Sequence, residues 1–270
     1  MKMANSSFDS IQENRLEIVV FTAIFGGKDE APKLVNKDKL PTGLKIDFRC
    51  VTDNPELKSE DYQIEVAKQK YADVTKNARD IKLNGFKGIE KYNVAIWHDS
   101  SVQLHCDKIS DLAKFADNHI ISVFHHVRYC AYLEAVACIT QNKDSALRIA
   151  AQMYRYFKEG FPSNYKLHET TIMVLDVANY YKSELRKVWW DEILHRSRRD
   201  QLSFAYARWV TGVKAGLLAH WKVNRTNNEY STWIGHKHER YYHSNFLLKI
   251  NSKVIKGICN KMIYEMRRRR

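Results

Sequence analysis

The sequence has no stretch approaching the roughly 18 consecutive apolar residues of a membrane-spanning helix, and its opening, residues 1–15, lacks the apolar run of a secretory leader. A protein made and kept in the cytosol is the expectation. Cysteine is scarce: Cys50, Cys106, Cys130, Cys138 and Cys259 form no Cys-x-x-Cys pair, which argues against a structural zinc site and for a reducing compartment. His168-Glu169 lacks the second histidine of a zinc-protease helix, so that chemistry is excluded too. With 4 Pro and 10 Gly in 270 residues, and 44% apolar residues, the chain is neither fibrous nor disordered. Acidic residues are in deficit, 31 against 44 Lys and Arg, for a net charge of +13. That balance selects anionic partners: nucleic acid, nucleotide diphosphates or an anionic lipid surface. No nucleic-acid-binding pattern occurs and the aromatics fall in apolar runs, so nucleic acid is not expected.

Four apolar runs read as strands. Residues 16–25 end at Gly26-Gly27, 44–52 at Asp53-Asn54-Pro55, 92–97 at the polar stretch His98 to Ser101, and 119–124 at His125-His126. Between them lie helical patterns, the clearest over 144–157, with Leu147, Ala150, Ala151, Tyr154 and Phe157 on one side and Gly160 and Pro162 as stop signals. Strands alternating with helices predict an α/β sheet with a parallel portion, whose ligands sit beyond the carboxyl ends of the strands. Each polar cluster falls at such an end. No internal repeat or low-complexity linker divides the chain, which predicts one domain over 1–242 and a separate C-terminal segment, 243–270.

Two segments carry chemistry. In Ile96-Trp-His-Asp-Ser-Ser-Val102 a buried strand delivers Asp99 into a turn, where a carboxylate can meet a divalent cation. The Asp-x-Asp form of this device is incomplete, since Ser101 stands in the third place. Mn2+ or Mg2+ tolerates that, because such ions keep several waters. The same Asp99 also suits a turn or helix cap. In residues 188–204, two adjacent tryptophans precede an Arg-rich turn and then Asp200, which opens an apolar helix. Aromatic faces suit sugar C–H faces and Arg suits phosphate oxygens, while Asp200 at a helix start can cap it or hold a hydroxyl.

The ordered series VVFTAIFGGKD (19–29), VTDN (51–54), ARDIKL (78–83), IWHDSSV (96–102), HHVRYCAYLEA (125–135), GFPSNYKLHE (160–169) and SRRDQLSF (197–204) resembles a glycosyltransferase-like family, formerly a domain of unknown function, of bacterial polysaccharide loci and plant Golgi proteins. The resemblance implies a GT-A-like fold, a mixed and mostly parallel sheet flanked by helices. It implies a nucleotide-diphosphate sugar as donor and a glycan or lipid-linked acceptor in surface polysaccharide synthesis. Thr22, Phe25, Gly26 and Asp53 would then lie near the nucleotide, Arg79 and Lys82 near its phosphates, and His98, Asp99 and Ser101 at the donor. His126, Arg128, Glu134, Trp189 and Trp190 would face the acceptor or sugar. Glu169, Arg199 and Asp200 would be catalytic, with Asp200 orienting or deprotonating the acceptor hydroxyl. Asp99 with His236 or His238 would hold the metal. His98 departs from the family, which usually has an aliphatic residue there. The alternatives are an inactive sugar-binding relative or a nucleic-acid-binding protein. Past residue 242, Leu247, Ile250, Val254, Ile258 and Met262 recur at helical spacing among lysines, ending in four arginines. Such a basic amphipathic helix suits an anionic membrane surface, which predicts a peripheral protein at the inner face.

Overall fold

Residues 17–24, EIVVFTAI, are almost all β-branched, aromatic or small and apolar, a composition suited to a strand covered on both faces. The computed structural model, which describes residues 16–220 and 222–236 together with Gly257, Asn260, Lys261 and Tyr264, puts that strand inside a sheet. The 242/243 boundary, His238 and nearly all of the expected tail helix lie outside the described residues. In chain order the strands are β1 (Glu17–Ile24), β2 (Lys45–Thr52), β3 (Gln63–Val66), β4 (Val94–His98), β5 (Val102–Leu104), β6 (Ile121–His125), β7 (His168–Asp176), β8 (Gly216–Leu217) and β9 (Ser231–Trp233). Seven of them form one sheet in the order β3-β2-β1-β4-β7-β6-β8, and β5 pairs with β9 in a second. All neighbours in the large sheet are parallel except β7, which runs antiparallel to β4 and β6. The expected mixed, mostly parallel sheet flanked by helices is therefore present.

The helices are α1 (Val74–Asn84), α2 (Ile109–Ala113), α3 (Ala131–Thr140), α4 (Ala146–Lys158), α5 (Val177–Tyr180), α6 (Glu184–His195) and α7 (Asp200–Thr211). Side chains alternate across β1, so Val19 and Phe21 pack with Trp97 and Met173 under α1, α6 and α7. Ile18 and Val20 turn to the other face, with Ile96 and Val174 under α2. A third cluster joins α3 and α4 to the far side of α7. In α4 the buried residues are Ile149, Gln152, Met153 and Tyr156. The expected stripe is corrected accordingly: Leu147 and Tyr154 are exposed, because the core lies one helical step away from them. Among the described residues no helix is long and apolar enough to cross a membrane, and Cys50, Cys106, Cys130 and Cys138 are buried.

The topology gathers the site. The carboxyl ends of β1, β2, β4 and β6 lie along one edge of the sheet, and antiparallel β7 brings its amino end, His168-Glu169, to the same edge. Between Val123 and Phe124 of β6 the partner in β7 jumps from Met173 to Glu169. Thr170 and Thr171 are thereby freed from that ladder and face the edge.

Candidate active site

The turn after β1 is tied down by Asp53, whose two carboxylate oxygens accept the Gly26 N–H at 3.0 and 3.1 Å. Gly26 has φ +68°, and a Cβ there would meet Val74 Cγ1 at 2.9 Å, so only glycine lets α1 approach this closely. α1 begins at the N-cap Asp73, which accepts the Thr75 N–H, and it ends at Gly85. Arg79 and Lys82, three residues apart, share the helix face turned to the strand ends.

Beneath the site lies a buried ion cluster. Lys82, fully buried, donates to Asp200 Oδ2 at 2.7 Å, to Thr170 Oγ1 at 3.2 Å and to Asp99 Oδ1 at 3.4 Å. Arg79 spans the same two carboxylates, 3.4 Å from Asp99 and 3.3 Å from Asp200. Trp97 Nε1 donates to Asp99 Oδ1 at 3.0 Å, and Thr170 Oγ1 to Asp200 Oδ2 at 3.0 Å. Burial alone would raise the Asp200 carboxyl, but Arg79, Lys82 and Arg199 outweigh it and hold it well below the usual range. Burial likewise opposes ionisation of Asp99, and Lys82 and Arg79 overcome it. Asp200 is thus held as an anion between Lys82, Arg79 and Thr170, an arrangement that suits an electrostatic anchor. Glu169 has the opposite setting: burial raises its carboxyl, while Arg225, at 3.1 Å, only partly offsets that.

Above the cluster opens a two-lobed cleft. The smaller lobe, about 510 Å³, lies between Phe25, Val74, Ala78 and Trp97. The larger, about 1270 Å³, is lined by polar and charged groups, among them Arg128, Glu134, Thr170, Arg199 and Arg225. Lys28, Thr75, Arg79, Asp99 and His236 line both. Lys28 and Arg199 have no ion-pair partner among the described residues, and the buried Nε of Arg199 has no hydrogen-bond partner. Burial, and then Arg79, lower the Lys28 ammonium against the pull of Asp29 and Asp99. Cations crowded in this way favour an anionic ligand.

Of the residues expected from sequence, Phe25, Arg79, Asp99, Ser101, His126, Arg128, Glu134, Arg199, Asp200 and His236 line the cleft. Others do not. Thr22 is buried within β1, and Asp53 and Gly26 build the turn. Lys82 lies under the floor, so its expected place among the donor phosphates is corrected. His98 points to the opposite face, where Tyr62 OH lies 2.9 Å from its Nε2, and it is not a donor ligand. Trp189 is also corrected: it is wholly buried, its ring 4.4 Å from that of Phe204 and its Nε1 donating to the Asp200 carbonyl. Trp190 packs on Tyr71, since neighbours on a helix diverge and cannot form one sugar platform. Glu169 sits behind Arg225. Sequence reasoning missed Lys28, Thr75, Thr170, Arg225 and Trp233. Lys28 alone carried a readable signal, its place immediately after the Gly turn.

The fit to a divalent cation is partial. Asp99 keeps one carboxylate oxygen clear of the contacts made by Oδ1. His236 Nδ1 is 2.9 Å from Asp29 Oδ2, an orienting partner that leaves Nε2 available. Among the described residues no three His, Cys, Asp or Glu side chains group to hold a metal. Two donors suit an ion that takes its remaining ligands from phosphate and water.

His98 gives the fold a pH dependence. Burial lowers its pKa to about 4. A histidine buried neutral keeps its stabilising effect above the unfolded value of 6.5 and loses it as pH falls towards 4. Urea unfolding should show stability dropping by up to about 3 kcal/mol across that window, and His98→Gln should flatten the slope. An unchanged slope would reject this.

No curated protein matches the chain. Solved structures similar to it include the bifunctional glycosyltransferase WbbM in its apo form, at 11% identity and TM-score 0.42, covering 79% of this chain and 40% of that one. The galactosyltransferase LgtC with donor and acceptor sugar analogs has 7% identity and TM-score 0.42, covering 90% and 95%. The apo glycosyltransferase GlyE of Streptococcus pneumoniae TIGR4 has 9% identity and TM-score 0.41, covering 76% and 46%. The chain thus spans less than half the length of WbbM and GlyE. Residues 2–228 match the family described as TOD1/MUCI70, glycosyltransferase-like domain, a span that contains every motif quoted above. The chain is a member of the TOD1/MUCI70 glycosyltransferase-like domain family.

Proposed function

We propose that the protein transfers a sugar from a nucleotide-diphosphate donor to a glycan or lipid-linked acceptor. The observation that carries this reading is a pair of cations, Lys28 and Arg199, which have no ion-pair partner among the described residues and line a cleft at the strand ends beside the Asp99–Arg79 pair. A diphosphate supplies the charge these groups lack, and the charge that grows on a departing diphosphate is what fixed cations stabilise. The smaller lobe, with its apolar wall at Phe25, Val74, Ala78 and Trp97, suits a flat base, and the larger, polar lobe suits a sugar and its acceptor. Asp99 and His236 would hold Mn2+ or Mg2+ against the diphosphate, and such an ion supplies further neutralisation of the leaving group. Glu169, whose carboxyl is raised by burial, is a carboxylate that would take a proton once Arg225 moves aside.

Isothermal titration with UDP, GDP and their sugars tests the donor. Lys28→Ala should weaken diphosphate binding by about 1.5–3 kcal/mol, the scale of a charge-assisted hydrogen bond, with the melting temperature unchanged. No binding by any nucleoside diphosphate would defeat the reading. Binding without nucleotide release would favour the inactive sugar-binding relative, to which the incomplete Asp-x-Asp points. The basic tail beyond residue 242 supports a place at an anionic membrane surface, and a full-length protein that stays in solution beside anionic vesicles would remove that part.

A further inference from the structure

Three large apolar side chains stand exposed beside the cleft. Val127 and Tyr129, on the loop after β6, are 66% and 54% exposed, and Leu133 in the first turn of α3 is 38% exposed. With Arg128, Ser163, Asn164 and Lys166 they line a groove of about 1290 Å³. Arg128 lines both the groove and the larger lobe of the cleft, so the two are neighbours. Arg128 is fixed there: its guanidinium donates to Glu134 Oε2 at 2.7 Å and its backbone N–H to His126 Nδ1 at 2.9 Å. Lys166 is exposed, and no described carboxylate lies within ion-pair distance of it. Among the described residues no carboxylate lines the groove, Glu134 meeting Arg128 from the side of the cleft.

We propose that this groove binds the phosphate and the first isoprenoid units of a lipid-linked acceptor. An apolar wall alone selects any hydrocarbon, and two cations alone select any phosphate. Placed side by side they select an amphiphilic anion. The order of the groups gives a direction: a phosphate between Arg128 and Lys166 puts the attached sugar through the shared wall into the polar lobe. The hydrocarbon then runs outwards over Val127, Tyr129 and Leu133. A purely glycan acceptor leaves Val127 and Leu133 unexplained, since aliphatic side chains offer a sugar hydroxyl nothing. The inference rests on the donor reading above for what happens in the cleft, but its test does not.

Farnesyl phosphate is the probe, titrated into the full-length protein, with farnesol and inorganic phosphate as controls. Farnesyl phosphate should bind saturably, and each control should bind about tenfold more weakly or worse. Val127→Asp and Lys166→Ala should each weaken farnesyl phosphate by about tenfold, leaving the affinity for UDP or GDP unchanged. Both side chains are exposed, so folding should survive, and Val127→Thr provides a milder second variant with a smaller loss. Farnesol binding as tightly as farnesyl phosphate would show a general apolar patch, such as a protein partner would cover, and would overturn the proposal. So would inorganic phosphate matching it, or folded variants binding like the parent. Failure of nucleoside diphosphates to bind would defeat the donor reading while leaving this result standing by itself.

Discussion

Asp200→Ala should lower the unfolding free energy by about 3–5 kcal/mol, the cost of leaving a buried charge without its partner. Lys82 is fully buried and Asp200 2% exposed, and the 2.7 Å contact between them is reinforced by Arg79 and Thr170. Removing the carboxylate leaves the fully buried Lys82 ammonium with the neutral Thr170 hydroxyl at 3.2 Å and, as its remaining counter-charge, the longer contact to Asp99 at 3.4 Å. Arg79 loses its second anchor in the same step, so the cleft wall above should loosen and transfer should fall with stability. Lys82→Met/Asp200→Leu should recover part of the lost stability, since it removes both charges and fills the space, while activity stays low. The sign with pH follows from the lowered Asp200 carboxyl. Its contribution is present above the ordinary Asp value near 3.8 and disappears as acid titrates the folded protein below that. Urea unfolding of the three proteins decides the matter. A loss of only about 1 kcal/mol would mean that Asp200 acts merely as the first residue of α7.

That expectation could not be reached from the sequence, and the reason is geometric. Asp200 follows an Arg-rich turn and opens an apolar helix, and those facts alone support a cap or a base. Its partner lies 118 positions away on α1. Local pattern carries strand ends well: the runs at 16–25, 44–52, 92–97 and 119–124 are β1, β2, β4 and β6 to within two residues. It failed for β7. That strand begins inside the polar segment GFPSNYKLHE, at His168, with no Gly turn at its start, and its antiparallel direction is set by its neighbours. With β7 unseen, Thr170 and the bulge that frees it were unseen too. The Trp pair failed for a different reason: adjacency in sequence suggests one surface, whereas a helix turns successive side chains about 100° apart. Asp99 and His236 were legible because strand-end carboxylates and late histidines are local features. Arg225 and Trp233, on the segment that crosses back to pair with β5, have no local mark.

Asp99→Asn should reduce transfer by about 10²–10³-fold, the scale of losing one preorganised electrostatic group, with little change in melting temperature. The two effects separate because Asn keeps the volume and can still accept from Trp97 Nε1, which lies 3.0 Å from Oδ1. The backbone stays in place through the Asp99 N–H, which donates to the Thr171 carbonyl at 2.8 Å. Lys82 keeps its shorter contact with Asp200, so no buried cation is stranded. What is lost is charge at the point where the two lobes meet. Nucleoside-diphosphate binding measured in chelator should be unchanged or somewhat tighter, because a negative group beside Lys28 and Arg79 has been removed. Any gain in affinity from Mn2+ should vanish, since among the described residues Asp99 is the only carboxylate lining both lobes, and Asp29, which orients His236, lines only the smaller one. Titration with and without Mn2+ therefore separates two jobs for one side chain. If affinity in chelator falls sharply, Asp99 acts by holding Arg79 in place for the diphosphate. If turnover stays near that of the parent, Asp99 has no part in the chemistry and the strand-end carboxylate is a turn cap after all.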